Sequence, residues 1–122
     1  MDIIKIEGGT KMKITRFDKT NAHPAHNGTI LGMKAFSEGM NEPFSHLYGY
    51  LETNGIMDGS REGHSHPTAE IYIVMDGNGI VIINDEEAAV SAGDVIEIPR
   101  NASHTMENKS GKPLTWLAIW WN

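Results

Sequence analysis

The chain has no cysteine among its 122 residues. That excludes disulfides, thiolate metal sites and cysteine nucleophiles. Positive charge is also scarce: 10 Lys and Arg stand against 16 Asp and Glu, a net charge of −6 with neutral histidines. The basic excess a nucleic-acid binder sets against phosphates is missing, so no nucleic-acid partner is expected. No apolar run is long enough to span a bilayer, so no membrane partner is expected either. The opening residues, MDIIKIEGGTKMK, lack the basic start, long apolar segment and small-residue cleavage site of a secretory signal. The cytoplasm is therefore the expected compartment. Helical periodicity is missing as well, since no window of a dozen residues sustains a 3.6-residue repeat.

What the chain does have is a series of short β-type runs punctuated by Gly, Pro, Asn and Asp. Ile71 to Met75 is one run, closed by Asp76-Gly77-Asn78-Gly79, and Ile80 to Ile83 follows. The pair reads as a β-hairpin. Ala88 to Val90, Val95 to Ile98 and Thr115 to Trp121 read as further strands. In the first half, Lys13 to Phe17, Thr29 to Phe36 and Leu47 to Thr53 are strand candidates, and the polar, proline-broken Asp18 to Asn27 reads as a loop. Strands at this spacing predict an all-β sandwich or barrel. Ile80 to Ile83 is apolar on both faces, so both faces need cover, from a second sheet, a barrel interior or a partner subunit.

Chemistry concentrates in GHSHPTAEIYIVMDG, residues 63 to 77. Alternate residues of a strand share a face, so His64 and His66 project the same way. Pro67 biases His66 toward an extended backbone and breaks the strand, which lets Glu70 return at the head of the next one. His104 opens another candidate strand, Thr105 to Asn108. Two imidazoles and a carboxylate converging from adjacent strands make a plausible divalent-metal site. Taken singly, each residue also has a plain reading: a His-X-His pair is weak by itself, Glu70 suits a surface, and His104 suits a turn.

The joint pattern resembles the two motifs of the cupin superfamily, in its small single-domain form. His64, His66, Glu70 and Gly77 match the first motif, and Gly93, Pro99, His104 and Asn108 match the second. Two positions depart. Asp58 stands where the first motif opens with Gly, and Asn101 stands where the second has an inner Gly. Asn tolerates the left-handed backbone such a turn requires. The motifs cover about residues 59 to 108, within one domain expected over 1–122 with an N-terminal strand and loop extension over 1–28.

The resemblance implies a cupin fold, a double-stranded β-helix or jelly-roll barrel, with one divalent transition metal inside. The ligands it implies are His64, His66, Glu70 and His104, and the donor set suits Mn, Fe, Co, Ni, Cu or Zn. It also implies a small-molecule ligand in the barrel. The first functional expectation is an enzyme acting on a small polar carboxylate, enol or sugar-like molecule, as a dioxygenase, decarboxylase, isomerase or cyclase. The alternatives are a non-catalytic ligand-binding module and a cupin whose metal is structural.

Other residues carry two readings each. Tyr72 and Val74 share the face of Glu70, so the Tyr72 phenol is either a core aromatic or an acid or positioning group near the metal. Met106 is expected in the core, and Asn108 is expected to fix a turn. Trp116, Ala118 and Trp120 share a face expected to serve as core or subunit interface. His46, Tyr48, Tyr50 and Glu52 alternate opposite Leu47, Gly49 and Leu51, either lining the barrel mouth or forming the wet side of a sheet. His23, His26 and Arg61 are expected on the surface. Strands apolar on both faces and the tryptophan-rich end predict a homodimer, through sheet faces or exchanged N-terminal strands.

Overall fold

The β-branched and aromatic runs do form strands: there are nine among the residues that the computed structural model describes, 13–36, 40 and 42–122. In chain order they are β1 (His23–Ala25), β2 (Ile30–Met33), β3 (Ser45–Leu51), β4 (Ala69–Asp76), β5 (Asn78–Ile83), β6 (Glu86–Ser91), β7 (Val95–Ile98), β8 (His104–Glu107) and β9 (Leu114–Trp121). The helical turns among these residues are short 3-10 pieces, Lys19–Asn21 and Met57–Gly59. No described helix is long and apolar enough to cross a membrane.

All strand pairings are antiparallel. One sheet has the order β1-β2-β3-β9-β4-β7, and the other has the order β6-β5-β8. They share one core. Leu51, Val74, Ile98, Trp116 and Ala118 come from the larger sheet, and Val81, Val90 and Met106 from the smaller. The fold is the all-β barrel the strand spacing predicts.

Three expectations about elements need correction. β4 and β5 do not form a hairpin: β4 pairs with β7 and β9, whereas β5 pairs with β6 and β8. The link crosses from one sheet to the other at Gly77, whose φ of +90° suits glycine and whose added Cβ would lie 2.4 Å from the Pro113 carbonyl oxygen. Crossing is the physical solution because Tyr72 and Val74 of β4 and Val81 of β5 all belong in one core, approached from two layers. The true hairpin joins β5 to β6 around Asn84-Asp85, with Asn84 at φ +53°. Lys13 to Phe17 is not a strand; Phe17 instead packs on the rings of Tyr48 and Tyr50, each 5.2 Å away. The expected loop Asp18 to Asn27 contains β1. Residues 1–12 of the expected N-terminal extension lie outside the described residues.

The face of β3 carrying His46, Tyr48 and Tyr50 does not line the barrel mouth. Its opposite face, with Leu47, Gly49 and Leu51, turns inward instead. His46 is nonetheless buried, because it closes the loop that follows β2. Its Nε2 accepts from the backbone N–H groups of Ala35 and Phe36, at 2.9 and 3.1 Å, and Glu42 Oε1 lies 3.0 Å from its Nδ1. Burial pushes this imidazole below its ordinary value of 6.5, Lys34 adds to the effect and Glu42 opposes it. The unfolded chain therefore takes up the proton first as pH falls, and stability drops as pH goes below about 6.5. Chemical denaturation at neutral and mildly acid pH should show this loss, and it should be smaller in His46→Gln. His46→Ala should cost about 1–3 kcal/mol, the usual penalty for stranding buried donors.

Candidate metal centre

The site is built where the two sheets meet. Gly63, at φ +74°, has no side chain to hold the backbones apart, and a Cβ there would lie 2.4 Å from the His104 carbonyl oxygen. His64 and His104 can therefore exchange backbone hydrogen bonds, at 3.0 and 2.8 Å. This bridge sets their rings 4.3 Å apart. Pro67 follows His66 and keeps it extended. Glu70 sits near the start of β4, paired with Ile98 and Trp120 on either side. His104 starts β8.

Each imidazole has its Nδ1 occupied. His64 Nδ1 lies 2.6 Å from Asp58 Oδ2, and His104 Nδ1 donates to the Ala102 carbonyl at 2.9 Å. His66 Nδ1 lies 2.7 Å from the Thr68 hydroxyl and 3.2 Å from the Thr68 carbonyl oxygen. That leaves the three Nε2 atoms as the free ends, and each of the three histidines offers a ligand atom within 4.8 Å of the others. Glu70 Oε1 lies 3.1 Å from His66 Nε2 and 3.0 Å from His104 Nε2. The four residues the motifs single out thus come together.

The electrostatics of that meeting are informative. Since His104 donates through Nδ1, its neutral form carries a lone pair on Nε2. That nitrogen is fully buried, has no hydrogen-bond donor among the described residues, and faces a carboxylate oxygen. Two acceptors at 3.0 Å repel unless a proton or a metal cation is shared between them. The donor set, three imidazoles and one carboxylate, fits a divalent transition metal. Burial also pushes the His64 imidazole below its ordinary value, His104 and His26 add to the effect and Asp58 opposes it, which favours the neutral form a ligand requires.

One member of this cluster is sealed, and the other three face a cavity. The side chains of His104 and Glu70 are 0% and 7% exposed, whereas those of His64 and His66 are 28% and 27% exposed. His64, His66 and Glu70 border that cavity, of about 340 Å³. Leu47, Met57, Trp116, Ala118 and Trp120 form much of its wall, so the tryptophan face of β9 serves the cavity as well as the core. Tyr72 stands between the two regions, its ring 6.1 Å from His104 and 6.0 Å from Trp116. Burial and the charges of Glu70 and Asp58 hold its phenol protonated, well above its ordinary range. Met106 lies in the core. Asn108 fixes a turn, donating to Leu51 O and Lys112 O and accepting from Ser110.

Sequence reasoning missed two residues here. His26 is not a surface histidine: it lines the cavity, its ring 4.7 Å from that of His64. Asp58, read only as a missing glycine, bonds His26 and His64 with its two carboxylate oxygens. His23 and Arg61 are exposed as expected, and Arg61 pairs with Glu87.

The cupin domain family model matches residues 56–120, which spans both motifs and more than half of the chain. The chain belongs to the cupin family. It is 38% identical over 55 residues to an uncharacterized protein of Methanocaldococcus jannaschii, a match covering 44% of each chain and so less than half of that relative. The fold is similar to that of the plu4264 protein of Photorhabdus luminescens, with a TM-score of 0.75 and 31% identity over 89% of this chain and 87% of the other. It is also similar to a cupin 2 conserved barrel domain protein of Salinispora arenicola, with a TM-score of 0.78 and 22% identity, covering 93% and 91% of the two chains.

Gly63 gives the site a direct test. Gly63→Ala forces a Cβ against the His104 backbone and places alanine at a left-handed φ. It should lower stability by roughly 1–3 kcal/mol and weaken the His64–His104 bridge. Amide exchange at His64 and His104 should speed up relative to that at β3.

Proposed function

We propose that this cupin is a metal-dependent enzyme acting on a small molecule. His64, His66, Glu70 and His104 hold one divalent transition metal, and the substrate occupies the adjoining cavity. The observation that carries this reading is the access to the cluster: His104 is sealed behind it, whereas His64, His66 and Glu70 meet the cavity. A metal with a purely structural task needs no such access.

The chain's residues divide the work. Three neutral imidazoles and one carboxylate leave a divalent ion with a net charge of +1, which attracts an oxygen-donor head. A metal bound there polarises a carbonyl or carboxylate oxygen or lowers the pKa of bound water. Tyr72 keeps its proton at neutral pH, so it serves as a hydrogen-bond donor to the substrate head rather than as a base. The apolar wall excludes water and receives the body of the substrate. Among the described residues no Lys or Arg lines the cavity, which disfavours phosphorylated or highly charged substrates. Among carboxylate, enol and sugar-like ligands, the wall favours a carboxylate or enol head on an apolar body. A non-catalytic binder would use the same contacts, and turnover separates the two. Screening under air and under nitrogen distinguishes oxygen chemistry from lyase or isomerase chemistry.

Elemental analysis of the purified protein should find close to one transition metal per chain, and His64→Ala combined with His66→Ala should abolish it. Metal content unchanged in the double variant sinks the ligand assignment. With Co²⁺ loaded, tropolone should shift the visible spectrum at lower concentration than ribose 5-phosphate. The reverse order sinks the proposed substrate class.

The expected homodimer has support from the outer face of the larger sheet. Ile71, Ile73, Leu117 and Ile119 lie half-buried there, beside Val95 at 61% exposure. Light scattering at micromolar concentration should give twice the chain mass, and Val95→Lys should shift it toward the monomer.

A further inference from the structure

Asp58 occupies the position where the first motif opens with glycine, and it pays a conformational cost to be there. Its φ is +63°, in the left-handed region that side chains avoid. Opposite it, His26 is also left-handed at φ +50°. Two non-glycine residues in this region, facing each other beside a candidate metal centre, call for a local interaction strong enough to hold them.

That interaction is specific. Asp58 Oδ1 lies 2.9 Å from His26 Nδ1, and Asp58 Oδ2 lies 2.6 Å from His64 Nδ1. The Asp58 backbone N–H donates to the Thr29 hydroxyl at 2.9 Å, and that hydroxyl donates to the His26 carbonyl at 2.6 Å. One carboxylate and one hydroxyl thus strap the β1–β2 turn to the segment that leads into the histidine pair.

The consequence follows from imidazole chemistry. A carboxylate at Nδ1 selects the Nδ1–H tautomer, which leaves the lone pair on Nε2. For His64 that lone pair is the metal-binding one. For His26, Nε2 is the remaining polar atom, on a ring that lines the cavity. We propose that Asp58 is a positioning residue that fixes His64 for metal ligation and holds His26 over the cavity as a contact for the bound molecule. The departure from the glycine motif is then a functional addition rather than a lost turn. This inference rests on the metal reading above, except for the two tautomers, which are read in metal-free protein.

The test separates the two readings. In metal-free wild-type protein at alkaline pH, long-range ¹H–¹⁵N NMR should find His26 and His64 as Nδ1–H tautomers. Asp58→Asn and Asp58→Gly should each weaken Co²⁺ binding about 10–100-fold, the usual loss when a partner of a metal-bound histidine is removed. Asp58→Gly suits the left-handed backbone, so it should melt no lower than wild type while still losing affinity, a combination that a purely structural role would not produce. Glu62→Gln removes an exposed carboxylate nearby and should leave Co²⁺ affinity unchanged. His26→Ala should leave Co²⁺ affinity unchanged but weaken tropolone binding to the Co²⁺-loaded protein about tenfold, the loss of one good polar contact. Wild-type Co²⁺ affinity in both Asp58 variants overturns the proposal, as does an Nε2–H tautomer at His64. A second Co²⁺ equivalent that disappears in His26→Ala also overturns it, since His26, Asp58 and His64 would then form a metal site of their own. If wild-type protein binds no Co²⁺, the metal reading falls, and the tautomers alone decide whether Asp58 positions the two imidazoles.

Discussion

Glu70 Oε1 lies about equally far from the Nε2 atoms of His66 and His104, at 3.1 and 3.0 Å. A carboxylate buried between two imidazoles needs a proton or a metal cation shared with each facing nitrogen. Much of the surrounding structure serves to keep that arrangement in place. Ala102 O, Thr68 and Asp58 hold the outer nitrogens, so the inner ones cannot turn away. The backbone bridge between His64 and His104 fixes two of the rings before any side-chain bond is made. Strand pairing on both sides of Glu70 fixes the carboxylate.

Core and cavity are made of the same side chains. Trp116 is a core residue and also a wall of the cavity, and it lies flat over Gly49, where a Cβ would come within 2.5 Å of the indole. Tyr72 likewise belongs to the core cluster and reaches the cavity. Packing and ligand selectivity are therefore coupled, and a substitution that reshapes the cavity also changes the stability of the barrel.

How much of this could be read from the sequence depended on the distance over which the causes act. His64, His66 and Glu70 were legible through their close spacing and the proline break, which are local, whereas His104 joined them only through the second motif of the family resemblance. The inward and outward faces of β3 were not: Tyr48 and Tyr50 look as suited to a cavity as Leu47, and only the packing of Phe17 over the tyrosines decides. The β4–β5 link was misread because a strand–turn–strand pattern looks alike whether the chain folds back or crosses to the other sheet. His26 gave no sign of its role, because its partner lies 32 residues away. Asp58 was legible only as an absence, since a motif registers the missing glycine and not the gained carboxylate.

The position of β9 has a consequence for how the protein is made. It follows every other described strand in the chain, yet it lies between β3 and β4 in the larger sheet. While the chain is being synthesised, β3 and β4 have no neighbour between them until residues 114–121 leave the ribosome. All four clustered residues emerge before that point. The nascent chain therefore exposes unpaired edges on β3 and β4, and the larger sheet closes only once β9 arrives between them.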